Sequence, residues 1–193
     1  AVLINGSVVA PGNRFSFNDA VGARTTARGF VDPVTRGLGG VGEDDAGVSH
    51  VASALYEAAF RSGLAVGSRA SRTVYVTGLT AGLDVRVSAG GPDVTFTADA
   101  TSGVLVTARV VGATVEVSLW GPAGLTAQVA ASAPAKQVRG TAAVDTTPGC
   151  VARTTDTPGF TINVSRVIYR GGIETGRDTI TSTYSPLPPL TCG

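Results

Sequence analysis

Charge is scarce in this 193-residue chain. Only 15% of its residues are charged, and fifteen Lys and Arg against fourteen Asp and Glu leave a net charge of +1. It has no basic run and no basic–aromatic interleaving, so the electrostatic footprint of a nucleic-acid binder is missing. No apolar stretch approaches the roughly 20 residues that span a bilayer, and no membrane span is expected within the chain. There are two cysteines, Cys150 and Cys192, each set among Pro, Gly and Thr. They form no CxxC or Cys/His cluster, so neither a redox dithiol nor a metal site is expected, and no cofactor is implied. Histidine occurs once, at His50. No signal peptide is visible, and the chain opens directly on apolar Val2-Leu3-Ile4, so an upstream part is expected to have been removed.

What the chain does contain is 26 glycines, abundant Val and Thr, and short alternating segments, the composition of a mostly β protein. RTVYVTG, LDVRVSAG, DVTFTAD, GVLVTARVVG and ATVEVSLWG follow one another with GG and GP turns between them, as in a meander with one buried face. The exception is Val48–Ser62, where apolar Val51, Leu55, Ala58 and Ala59 recur at helical spacing opposite a polar stripe of His50, Ser53, Glu57 and Arg61. Ser62-Gly63 is a helix stop. After Leu125 the Ala-rich AQVAASAPAKQ reads as a connector, and Gly171-Gly172 between two strand-like runs marks a hairpin. The expected fold is α+β: one main helix packed on an antiparallel sheet within residues 1–125. Residues 126–193 form a C-terminal β extension.

An isolated hairpin is marginal in water and must be packed or stapled. A Cys150–Cys192 bridge would staple it, adding roughly 3–4 kcal/mol by restricting the unfolded chain. The alternative is a pair of reduced thiols. The bridge is the reading adopted, and it places the protein in an oxidising, exported setting.

VVAPGNRFSFNDAVGARTTARGF, GVSHVASALYEAAFRSGL, VYVTGLTAGLDVRV and GGPDVTFTADATSGVLVTARVVGATVEVSLWG, in that order, resemble the VanW family over roughly Ala1 to Gly121. The tail from PGC through LTCG resembles the C-terminal extension of actinobacterial members. The resemblance implies an exported domain of the Gram-positive cell envelope, in a family named after an accessory protein of vancomycin-resistance clusters. Peptidoglycan or its stem peptides are the implied partner. In some relatives it implies cross-linking of the L,D-transpeptidase type, with the cysteine of a GGGVCQ motif as nucleophile.

DAGVSH stands where GGGVCQ would be, so Ser49 replaces the cysteine, His50 the glutamine, and Asp45 and Ala46 two glycines. A histidine often precedes the strand matched by VYVTG, and here Ser71 and Arg72 occupy those positions. Ser49 and His50 are the candidate catalytic residues, and Asp45, Gly47 and Arg72 the candidate ligand-binding ones. A serine needs a base within hydrogen-bond reach, yet adjacent helix residues diverge by about 100°. Three readings of Ser49 stand side by side: helix N-cap, part of an anion or peptidoglycan site without turnover, and acyl-transfer nucleophile backed by the helix N–H groups. The acids Glu43, Asp44 and Asp45 suit solvation and the helix dipole better than a cation site. Phe15 and Phe17 are expected in the core. Trp120 reads as a strand-end core aromatic, with a sugar-stacking platform as the alternative.

Overall fold

A computed structural model describes residues 1–31, 46–147 and 150–193. The GLGGVG loop and Glu43, Asp44 and Asp45 lie outside the described residues. The chain begins with strands β1 (Ser7–Val9) and β2 (Arg14–Ser16), the short helix α1 (Phe17–Val21) and a 3-10 turn at Thr26–Arg28. Ser16 caps α1 by accepting the Asp19 N–H at 3.1 Å, the usual role of serine at a helix start. Phe15 and Phe17 are both buried, although Phe17 opens α1 rather than extending a strand.

The main helix α2 (Ala46–Arg61) takes its helical propensity from five alanines with Leu55, Glu57 and Arg61. It ends where Ser62 N–H still reaches Ala58 O and Gly63 turns left-handed at φ +83°. Leu55 and Ala59 are buried as the spacing predicts, but Val51 and Ala58 are only half-buried. Ser53, expected on the polar stripe, is buried instead, together with Ala52, Tyr56 and Phe60. The helix is therefore covered on a wider arc than one apolar stripe.

Strands β3 (Ala65–Val66), β4 (Thr95–Thr97), β5 (Val104–Val111) and β6 (Thr114–Trp120) follow. They make two three-stranded sheets, β2-β4-β3 and β1-β5-β6, both antiparallel. RTVYVTG and LDVRVSAG form no ladder strands. The alternation in the second is real, with Leu83, Val85 and Val87 buried and Arg86 exposed, but its backbone finds partners other than a neighbouring strand.

The Ala-rich stretch is not a connector. It supplies β7 (Leu125–Ala131) and β8 (Ala135–Val138), which pair with β10 (Gly159–Arg170). Alternation was muted there because the half-buried positions of β7 include Ala127 beside Leu125 and Val129, and pairing overrode a weak propensity. β10 turns through Gly171 (φ +57°) and Gly172 (φ +83°) into β11 (Ile173–Tyr184), the left-handed pair that a two-residue hairpin requires. β9 (Ala143–Asp145) and β12 (Leu190–Cys192) form a small parallel ladder closed by the Cys150–Cys192 disulfide, with Cα atoms 5.8 Å apart.

One core runs through these pieces. It joins α2, residues 83–87, β4 and β5 to Val164 of β10, with Ile180 of β11 packed against it. Gly82 shows how closely the C-terminal sheet approaches: a Cβ there would sit 2.4 Å from Val164 Cγ2.

Candidate functional site

Ser49 is the fourth residue of α2, and its side chain is turned inward, 0% exposed. Its Oγ accepts the Val87 N–H at 3.2 Å and lies 3.4 Å from Val87 O as donor. One turn later Ser53 Oγ accepts the Val85 N–H at 3.0 Å, with Ser49 O at 2.7 Å and Val85 O at 3.3 Å as acceptors for its proton. The match is geometric. Four helix residues rise about 6 Å, and two extended residues advance about 6.6 Å. Hydroxyls at i and i+4 therefore meet alternate residues of an antiparallel extended segment, standing in for a missing strand neighbour. This pairing satisfies buried backbone groups that would otherwise be costly.

His50, the next residue, faces a different environment. Its Nε2 is buried without a hydrogen-bond partner, and no hydrogen bond joins it to Ser49 among the described residues. Burial and the Arg72 charge push its pKa below the ordinary value, favouring neutral imidazole. Arg72 is 2% exposed. His50 lines a cavity of about 350 Å³ with Ser53, Glu57, Thr80 and Asp84. Gly47 points elsewhere, lining an apolar hollow with Phe17, Phe30 and Val51. Asp45 lies outside the described residues. Among the described candidates, the Arg72 charge acts on His50.

A second group centres on Asp84, which the sequence offers only as an acid beside a turn or on a strand, able to pair with an arginine, as it does with Arg69 at 3.9 Å. Asp84 is buried at the cavity wall, where its Oδ1 accepts the Tyr184 hydroxyl and its Oδ2 has no hydrogen-bond partner among the described residues. Burial pushes its pKa up, against the pull of Tyr184, Arg69 and Arg72. Tyr184 also accepts the Gly82 N–H at 2.7 Å, and burial raises its own pKa. Arg69 donates to Gly82 O and Asp84 O at 2.8 Å each and to Ser182 Oγ at 2.6 Å. Arg166 of β10 donates to Phe60 O and Leu64 O at 2.9 Å each, holds Asp178, and lies 4.4 Å from the Phe60 ring centre. The signal for Arg166 was present in its parity: it shares a strand face with Ile162, Val164 and Ile168. Arg69 sits in no periodic element and carried no such signal.

Trp120 corrects the reading of a core aromatic. It is 63% exposed, with its indole N–H donating to Thr107 Oγ1 at 3.0 Å. The described residues contain no group of three or more His, Cys, Asp or Glu placed to hold a metal ion.

These features define an α+β domain with a central helix whose leading turns are locked to an extended segment by two serines. The family profile described as VanW like protein matches residues 1–120, and the chain belongs to the VanW family. An uncharacterized protein of Bacillus subtilis (strain 168), YoaR, is similar: 33% identical over 127 residues, covering 62% of this chain and 40% of that protein's length. The chain thus spans less than half of that relative. No solved structure matches.

Proposed function

We propose that this chain is an extracytoplasmic VanW module that binds peptidoglycan through its stem peptides without processing them. The observation that carries this reading is the state of Ser49. At the position where active relatives place a thiolate, the hydroxyl is buried and committed to Val87. Attack on a substrate carbonyl requires an exposed oxygen and a base about 3 Å away. The acyl-transfer alternative would need Ser49 to leave Val87 and His50 to swing toward it. Export is supported by the Cys150–Cys192 disulfide, since such bonds persist in oxidising compartments. No helix among the described residues is long and apolar enough to cross a membrane.

Pull-down with purified peptidoglycan sacculi tests the reading. Retention above a control protein of similar charge is expected, with no change in the muropeptide profile after prolonged incubation. New cross-links in that profile, lost in Ser49→Ala, would install the acyl-transfer reading instead. Absence of retention would sink the binding reading.

A further inference from the structure

A groove of about 630 Å³ runs between the stretch after α2, Ala65 to Ser71, and the Asp178–Thr181 part of β11, with Tyr56 and Phe60 among the residues lining it. Both walls are sheet margins. β3 ends the β2-β4-β3 sheet, and β11 ends the β11-β10-β7 sheet. Backbone groups on such margins are available to another chain. The walls meet at one end, where Arg69 Nη2 reaches Ser182 Oγ and Ser185 N–H donates to Thr73 O at 2.7 Å. A slot between two strand margins suits an extended peptide, which adds as a further strand.

Charge selects the class of peptide. Arg166 is already committed, through Nε and Nη2 to Asp178 and through Nη1 to two carbonyls. Arg69 is not. A guanidinium carries five N–H groups, and Arg69 uses three of them, on Gly82 O, Asp84 O and Ser182 Oγ. No hydrogen bond from its Nε–H appears among the described residues, and the guanidinium, 5.8 Å from the Tyr56 ring centre, belongs to a side chain 7% exposed that lines the groove. Nε and Nη2 share one edge of the guanidinium, the edge that grips a carboxylate with two parallel hydrogen bonds. The Asp84 carboxylate sits at the other nitrogen, 3.9 Å from Nη1.

We propose that this groove is the domain's peptide cleft: a short extended peptide lies along the β11 margin, with a free carboxylate held by the Nε–Nη2 edge of Arg69. The proposal rests on the peptidoglycan-binding reading. It names the stem peptide, which is short and carries carboxylates, as the occupant. It also moves the binding site away from Ser49 and His50.

The test uses the full chain and a synthetic N-acetylated tetrapeptide, L-Ala-γ-D-Glu-L-Lys-D-Ala, beside its counterpart with both carboxylates amidated. Amide shifts in NMR spectra are expected to move at Ala65–Ser71 and Asp178–Ser182. Amidation should weaken binding about tenfold or more, the scale of one lost charge-assisted hydrogen-bond pair. Arg69→Lys keeps the charge and loses the fork, so it should weaken the free-acid peptide and leave the amidated one unchanged. Arg69 also has internal partners, so Ser68→Trp provides a second variant: it fills the groove from an exposed position and should abolish peptide shifts at an unaltered melting temperature. Equal affinity for both peptides, shifts outside the groove, or wild-type binding by Ser68→Trp would each overturn the cleft. Sacculus retention separates the two claims. Retention that survives Ser68→Trp overturns the cleft and spares the binding reading, whereas peptide shifts in the groove without retention do the reverse.

Discussion

The Ser49 hydroxyl and the Val87 peptide face each other as a strand residue faces its neighbour, N–H to oxygen at 3.2 Å and oxygen to carbonyl at 3.4 Å. Ser53 repeats the arrangement with Val85. In this protein the two inward-facing serines of α2 act as a backbone clamp.

Ser49→Ala should therefore destabilise the protein by about 1–3 kcal/mol, the cost of leaving the buried Val87 groups unpaired. Urea unfolding measures it, and peptidoglycan retention should not change. Ser49→Cys should react slowly with iodoacetamide in the native state, because the site is closed to solvent, and quickly once unfolded. Fast native labelling would show that the clamp opens.

His50 links stability to pH. Burial and Arg72 lower its folded pKa below 6.5, so the folded state takes up its proton later than the unfolded chain. Its contribution is present above pH 6.5 and is lost as pH falls through the lowered folded value. Wild-type protein should lose more stability than His50→Gln between pH 7.5 and 5. Equal losses in denaturant titrations would contradict the assignment.

Asp99 works at lower pH. The Thr101 N–H and hydroxyl bind its carboxylate at 2.9 and 2.8 Å, Arg170 pairs with it at 2.5 Å, and its pKa falls to about 2. Its contribution is complete above the ordinary value near 3.8 and disappears as pH falls toward 2. Carboxyl-carbon NMR should place its midpoint near the lower figure, and Asp99→Asn should flatten this part of the acid-unfolding profile.

Arg166→Met should be among the most damaging single changes. It strips the donor from Phe60 O and Leu64 O at and just past the end of α2, a loss of about 2–3 kcal/mol, to which the half-exposed Asp178 adds little. Thermal unfolding checks it, with the exposed-pair variant Arg109→Met as a control expected to stay within about 0.5 kcal/mol.

Reducing the Cys150–Cys192 bridge should release the β9–β12 ladder before the core. The ladder is short and peripheral, while Val164 and Ile180 hold β10 and β11 to the centre. Hydrogen exchange under reductant should accelerate at Ala143–Asp145 and Leu190–Cys192, with protection around Leu55 and Val85 retained. Uniform acceleration throughout would mean that the bridge supports the whole fold.

Local sequence determined the features with short-range causes. The α2 periodicity and its Gly63 stop, the Gly171-Gly172 hairpin, and the strands of GVLVTARVVG and ATVEVSLWG all follow from patterns within a dozen residues. Tertiary structure decided what depends on distant partners. Alternation in LDVRVSAG shows that one side is buried, but not whether a strand or two helix serines will satisfy its backbone. The small side chains of AQVAASAPAKQ give little reason to expect strands until β10 arrives beside them. Arg69 and Asp84 acquire their setting only when Ser182 and Tyr184, about a hundred residues later, close over them. Burial and hydrogen-bond satisfaction are properties of the assembled interior, so the polar groups of the groove could be located only in the folded chain.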